Sequence, residues 1–193
     1  MSKYFKYFDE IDPIPYTDYF LNTFIKENNF IEEVKKGITK SYIIYDANCS
    51  SMITALSNEL SKKYKFPAIS HFLLFYHTSS QSIHSDGYPI IRQCSFNLPV
   101  LGWEGTQMNF YTEKSNVASR NEESRYYQPY EVDIQERFDC HNKWVLVNSG
   151  LPHNVCNMTE ENPRITVVTR FHSNPSFEML LKLSKIYDYT RLH

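Results

Sequence analysis

From residue 68 to residue 171 the sequence is a succession of short β-prone runs divided by turn residues, and no other feature limits the possible folds as much. Eight runs can be counted: Ala68 to Tyr76, Ser82 to Asp86, Ile90 to Val100, Thr106 to Thr112, Tyr130 to Gln135, Lys143 to Asn148, His153 to Asn157 and Arg164 to Phe171. This spacing is expected of a sandwich or barrel, and eight strands is the number in a jelly roll. Two runs alternate in a way that a plain core would not. Residues 91–98 put Gln93, Ser95 and Asn97 on one face and Cys94, Phe96 and Leu98 on the other. Residues 164–171 put Arg164, Thr166 and Arg170 on one face and Ile165, Val167 and Phe171 on the other. A strand has a period of two, so each polar set either meets solvent or lines a cavity.

The flanks read as helix. Residues 1–67 form a helical cover, in which Thr17 caps a segment running to Lys26 with Phe20, Leu21, Phe24 and Ile25 at helical spacing. After a short strand-like run from Tyr42 to Tyr45, Ser50 or Ser51 caps a helix to about Lys63 whose Met52, Ile53, Leu56 and Leu60 form one stripe, and Pro67 ends it. A final helix over about 174–187 has Ser173 or Asn174 as its cap, Pro175 in its first turn, and Phe177, Leu180, Leu181 and Ile186 facing inward. The expected fold class is therefore mainly β, a jelly roll with helices at both ends. At 193 residues, 22.9 kDa and 41% hydrophobic content the chain suits one domain with one core. The loop from Glu113 to Tyr127, charged and rich in Ser and Asn, is long enough to be a substrate-facing segment.

Charge and cysteines narrow the setting. A net charge of -2 and a pI near 6.4 give no electrostatic reason for a nucleic-acid or membrane surface. Cys49, Cys94, Cys140 and Cys156 lie far apart with no CxxC pair, so free thiols are expected. The first ten residues lack the apolar core of a signal peptide and no run is long enough to span a bilayer, which predicts a cytoplasmic location.

The chemistry starts at His84-Ser85-Asp86. In an extended segment His84 and Asp86 project from the same side, so an imidazole and a carboxylate converge. His153, at the far end of a second apolar run, is the best third ligand. Two histidines and one carboxylate are the facial set that holds Fe(II) in non-haem oxygenases, with the remaining positions open. Arg164 follows eleven positions later, with Thr166 on its face.

In their order and spacing His84-Ser85-Asp86, His153 and Arg164-Ile165-Thr166 resemble the signature of the 2-oxoglutarate- and Fe(II)-dependent oxygenases, which are built on a double-stranded β-helix. The resemblance covers about residues 68 to 171, just over half of the chain. It implies Fe(II) on His84, Asp86 and His153, with 2-oxoglutarate as co-substrate and O2 as oxidant. It gives Arg164 the remote carboxylate of the co-substrate, with a further hydrogen bond from Thr166 and contacts from Asn97 and Tyr76. Substrate contacts are expected from Arg170, Arg92, Tyr111 and Asn109. Halogenases of this fold replace the carboxylate ligand by a small residue; Asp86 favours hydroxylation or a related oxidation. The substrate is a small molecule or a side chain of unspecified kind. Two other readings stay open: a jelly-roll binding protein that does no oxidation, and a cupin-type metalloenzyme using another metal and no 2-oxo acid. The other histidines, His77 among them, read as structural or surface residues.

Overall fold

The structure, a computed structural model, describes residues 2–27, 29–35, 41–44, 47–86, 94–114 and 124–191. Its strands are β1 (Phe5–Tyr7), β2 (Ser41–Ile44), β3 (Ile69–His77), β4 (His84–Asp86), β5 (Ser95–Leu101), β6 (Gln107–Glu113), β7 (Ser124–Tyr126), β8 (Val132–Asp139), β9 (Val145–Val147), β10 (His153–Cys156) and β11 (Arg164–Phe171). They form a large six-stranded sheet in the order β1-β9-β5-β11-β3-β2 and a small five-stranded one in the order β7-β4-β10-β6-β8. Every strand pair is antiparallel. The fold is thus mainly β, two antiparallel sheets with helices packed outside.

The alternation in β5 and β11 decides which way the large sheet faces. Phe96 and Leu98 of β5, Ile165, Val167 and Phe171 of β11, and Phe72, Leu74 and Tyr76 of β3 are buried in one cluster with Phe20, Phe24, Leu56 and Leu60 of the helical layer. Trp144 closes this core, stacked on Phe96 with ring centroids 5.0 Å apart. The polar faces of β5 and β11 turn toward the small sheet. A second apolar cluster, including Tyr4, Met108, Phe110, Phe138, Val145, Val147 and Val155, joins β1 and β9 to the small sheet beside them. Packing of this kind leaves a polar space between two dry layers.

Several boundaries differ from the sequence expectation. The first helix, α1, runs Ile14–Tyr19 and continues as a π-helical turn Phe20–Phe24 into α2, Ile25–Glu27. Thr17 is inside it rather than at its cap; Asp12 Oδ1 accepts the Ile14 N–H and Pro15 occupies the first turn, where a missing N–H costs nothing. A short α3 covers Phe30–Lys35. Helix α4 runs Ala47–Tyr64, starting ahead of Ser50 and ending when Lys65 enters the left-handed region at φ 60°, before Pro67 is reached. The last helix, α5, is Phe177–Arg191, and Ser176 is its cap, its Oγ accepting the Met179 N–H at 3.1 Å. Phe177 and Leu180 are buried, but Ile186 is exposed; Ser184 takes the inward place and accepts Lys6 Nζ at 3.1 Å. Positions 177, 180 and 184 are in helical phase, and 186 is not.

Strand β1 lies within the stretch read as helical cover, whereas β2 coincides with the strand-like run read from Tyr42, starting one residue earlier. The run from Tyr130 begins as a 3-10 turn, Pro129–Glu131, so β8 starts two residues later than expected and continues to Asp139. Of the expected loop from Glu113 to Tyr127, residues 115–123 lie outside the described residues, and Ser124–Tyr126 is a strand paired to β4 rather than loop. No described helix is long and apolar enough to cross a membrane, and all four cysteines are free.

Gly102 places the start of β11. It has φ +61°, and a Cβ there would lie 2.0 Å from the Pro163 carbonyl oxygen and 3.1 Å from the Arg164 Cα. Backbone cannot swing aside as a flexible side chain can, so Gly102→Ala must displace residues 163–164 or unfold the turn. The expected loss is about 2–4 kcal/mol of unfolding free energy in a denaturant titration.

Candidate metal centre and cavity

Strand β4 is three residues long, and its alternation separates Ser85 from its neighbours. Ser85 is buried against the Tyr127 hydroxyl at 3.4 Å, while His84 and Asp86 share the opposite side. Strand β10 pairs antiparallel to β4 with His153 directly opposite His84. Residues in such register sit on the same face with Cβ atoms about 4.5–5.5 Å apart, so sheet pairing alone brings the distant imidazole to the HxD pair. The two rings lie 4.6 Å apart between centroids, inclined by 48°. One ligand atom from each of His84, Asp86 and His153 falls within 4.8 Å of the others, a cluster able to hold a metal ion. The Asp86 N–H donates to the Ser149 carbonyl at 2.8 Å, which fixes the end of β4 against the turn that leads into β10.

The ring orientations fit a metal independently of the distances. His84 Nδ1 lies 2.8 Å from the Ser82 carbonyl oxygen, and His153 Nδ1 lies 2.8 Å from the Leu151 carbonyl oxygen. A carbonyl can only accept, so Nδ1 carries the hydrogen in both rings. A neutral ring then keeps its lone pair on Nε2, the arrangement in which a backbone carbonyl orients a metal-ligating histidine. His84 Nε2 is 3.7 Å from Asp86 Oδ1, too far for a hydrogen bond, so neither atom is spent on the other.

His153 is the buried member, 4% exposed. Burial, followed by the neighbouring His84, pushes its pKa down from 6.5 to about 4, against smaller opposing effects of Asp86 and the Leu151 carbonyl. The metal-free protein should therefore lose stability as the pH falls. Between pH 6.5 and 4 the unfolded chain binds a proton on this residue and the folded chain does not, so up to roughly 3 kcal/mol disappears across that window. Denaturant titrations of chelator-treated protein at pH 7, 5.5 and 4.5 check this; equal midpoints would contradict it.

The three residues open onto a cavity of about 160 Å³ between the sheets. Ser95 and Asn97 of β5, Arg164, Thr166, Val168 and Arg170 of β11, and Phe75 and His77 of β3 line the large-sheet side. Met108, Val155, Gln81 and Ser149 complete it. The described residues of the polar faces read from the sequence, Ser95, Asn97, Arg164, Thr166 and Arg170, thus line a cavity; Gln93 lies outside the described residues. Four buried atoms lining the cavity, Asn97 Oδ1, Arg164 Nε, Thr166 Oγ1 and Ser149 Oγ, have no hydrogen-bond partner among the described residues. An unpaired buried polar atom costs about 1–3 kcal/mol, and four of them around one cavity call for a polar ligand. The donor set also suits the implied group: Arg164 is 6% exposed, in a site where a guanidinium binds a carboxylate strongly.

Other expected site residues are elsewhere. Tyr76 is on the helix-facing side of β3, buried with its ring 6.3 Å from that of Phe30, and does not reach the cavity. Both faces of β3 are apolar, so alternation carried no sign of which was which. Asn109 and Tyr111 turn to the opposite side of the small sheet, where each donates to Asn154 Oδ1, at 3.0 and 3.1 Å; Met108 and Phe110 are the inward residues of β6. Arg92 lies outside the described residues. His77, read as structural, lines the cavity and pairs in register with Arg164. Gln81 Oε1 accepts the Val155 N–H at 3.2 Å, so its amide nitrogen donates to His77 Nε2 at 3.0 Å. His77 shares the face of Phe75, but alternation in β3 did not say which face looks inward, so no sequence signal found it. Nothing in the sequence singled out Ser149.

No protein-family model matches the chain, and no curated protein is significantly similar to it. Among solved structures it is similar to apo HygX from Streptomyces hygroscopicus, with 12% identity and a TM-score of 0.42 over 74% of each chain.

Proposed function

We propose that the protein is an Fe(II)- and 2-oxoglutarate-dependent oxygenase built on a double-stranded β-helix. The observation that carries this reading is the pairing of His84 with His153 across two antiparallel strands, each ring held by a backbone carbonyl at Nδ1 so that Nε2 keeps its lone pair, with Asp86 in the same cluster. Two imidazoles and a carboxylate suit Fe(II) and leave coordination positions open. When bound, Fe(II) and 2-oxoglutarate supply an O2-dependent oxidation coupled to decarboxylation of the 2-oxo acid to succinate and CO2.

The chain's own residues then have distinct tasks. His84, Asp86 and His153 hold the metal. Arg164, buried at the head of β11, takes the remote carboxylate of the co-substrate, and Thr166 on the same face donates a hydroxyl. A guanidinium does this better than an ammonium because its planar fork fixes the orientation of a carboxylate as well as its charge. Asn97 Oδ1 is an acceptor aimed at the same space. Phe75, Met108, Val155 and Val168 keep water from the reacting centre. Asp86 occupies the carboxylate position, which favours hydroxylation or a related oxidation.

The test is succinate formation by purified protein given Fe(II), ascorbate and 2-oxoglutarate. Slow turnover that requires both Fe(II) and O2 is expected even without a second substrate. Metal binding without any succinate would instead favour a cupin-type enzyme that uses no 2-oxo acid.

A further inference from the structure

The link from β3 to β4 crosses from the large sheet to the small one, and Gln81 in that link is tied to both. On the small-sheet side its backbone N–H donates to the Val155 carbonyl at 2.8 Å, and its Oε1 accepts the Val155 N–H at 3.2 Å. Its carbonyl accepts Asn154 Nδ2 at 3.2 Å. Both partners follow directly on His153 in β10. On the large-sheet side its Nε2 donates to His77 Nε2 at 3.0 Å. His77 ends β3, its ring inclined by 9° to that of Phe75, and stands in register with Arg164 at the start of β11. Paired in this way, His77 and Arg164 share a face with Cβ atoms about 4.5–5.5 Å apart. One amide therefore connects the strand of a metal ligand to the strand pair that carries the buried guanidinium.

We infer that Gln81 is a positioning residue which, through His77, holds Arg164 at the distance from the metal centre that the carbon chain of 2-oxoglutarate spans. A ligand gripped at both ends measures that distance. Such two-point contact tolerates little error, a misplacement of about 1 Å costing on the order of 100-fold in a well-oriented reaction. Glutamine suits the task because its amide has one acceptor and one donor group; with the acceptor taken by the Val155 N–H, the donor meets the lone pair of His77. A side chain of equal length without the amide loses both ties, while the backbone bonds of residue 81 to β10 remain. The metal ligands then stay in place, and the corner that bears Arg164 is freed to shift.

The inference rests on the proposed function, and the experiment separates the two. The full chain is loaded with Mn(II) in place of Fe(II), and 2-oxoglutarate and pyruvate are titrated in turn, with water proton relaxation as the readout. Pyruvate has the same metal-binding 2-oxo carboxylate but no remote carboxylate, so the ratio of the two affinities reports the grip of Arg164. In the native protein 2-oxoglutarate should bind the tighter. Gln81→Met should lower that ratio about tenfold or more and leave pyruvate within about twofold of its native affinity. His77→Phe keeps a ring beside Phe75 and removes the acceptor, and should lower the ratio about threefold or more. A native ratio in folded Gln81→Met would overturn the inference alone, as would an equal loss of both acids, which marks a general structural role. If Gln81→Met does not fold, the ratio in His77→Phe decides between the same outcomes. Failure of the native protein to prefer 2-oxoglutarate over pyruvate would remove both the oxygenase reading and this inference.

Discussion

Arg164→Gln is expected to raise the 2-oxoglutarate concentration for half-maximal succinate formation at least 100-fold, with metal affinity within about threefold of the native value. The size follows from burial. A charge-assisted, two-pronged hydrogen bond from a guanidinium 6% exposed to water is worth about 2–3 kcal/mol or more, and 100-fold corresponds to about 2.7 kcal/mol. Arg164→Lys keeps the charge and loses the fork, so it should recover only part of the loss. The metal comparison matters because Arg164 is not among the three clustered ligands. A variant with unchanged 2-oxoglutarate dependence would remove this residue from the co-substrate site and leave the metal cluster standing.

Removing an imidazole should have a larger effect on the metal itself. His153→Ala and His84→Ala are each expected to weaken divalent metal binding by more than about 100-fold, since loss of a residue that merely orients a ligand already costs 10–100-fold. Ser85→Ala is the matched control. It sits between two of the ligands in sequence, but its hydroxyl faces Tyr127 on the other side of β4. Fe(II) or Co(II) titrations by calorimetry, with circular dichroism to verify folding, would make the comparison. His153→Ala also empties a buried position, so His84→Ala, at a less buried site, guards against a result that only reports unfolding. Native-like affinity in both histidine variants would mean that the cluster is not a metal site.

Legibility in the sequence followed the range of the interaction that decided each feature. His84 and Asp86 could be paired from two adjacent strand periods, and the polar faces of β5 and β11 stood out because their apolar faces are so uniform. Tyr76 was misassigned because β3 is apolar on both sides, with Leu73 and Phe75 opposing Phe72 and Leu74. Asn109 and Tyr111 were misassigned for a related reason: β6 alternates clearly, but its polar residues, not its apolar ones, face away from the site. Strands β1 and β7 have three residues each, too few to show any period. Their place comes from edge pairing with β9 and β4.

By itself the sequence determined that the chain is rich in β-strands, which strands carry a polar face, and which residue types are present to bind a metal and a carboxylate. These follow from local alternation and side-chain chemistry, which need no knowledge of neighbours. The tertiary structure alone decided that His153 stands opposite His84 and that the polar faces look inward across a cavity. It also decided that Arg164 and Arg170 flank that cavity from opposite ends of one strand. Such matches depend on the register of strands far apart in the chain, and a slip of one residue would turn every one of these side chains to the other face.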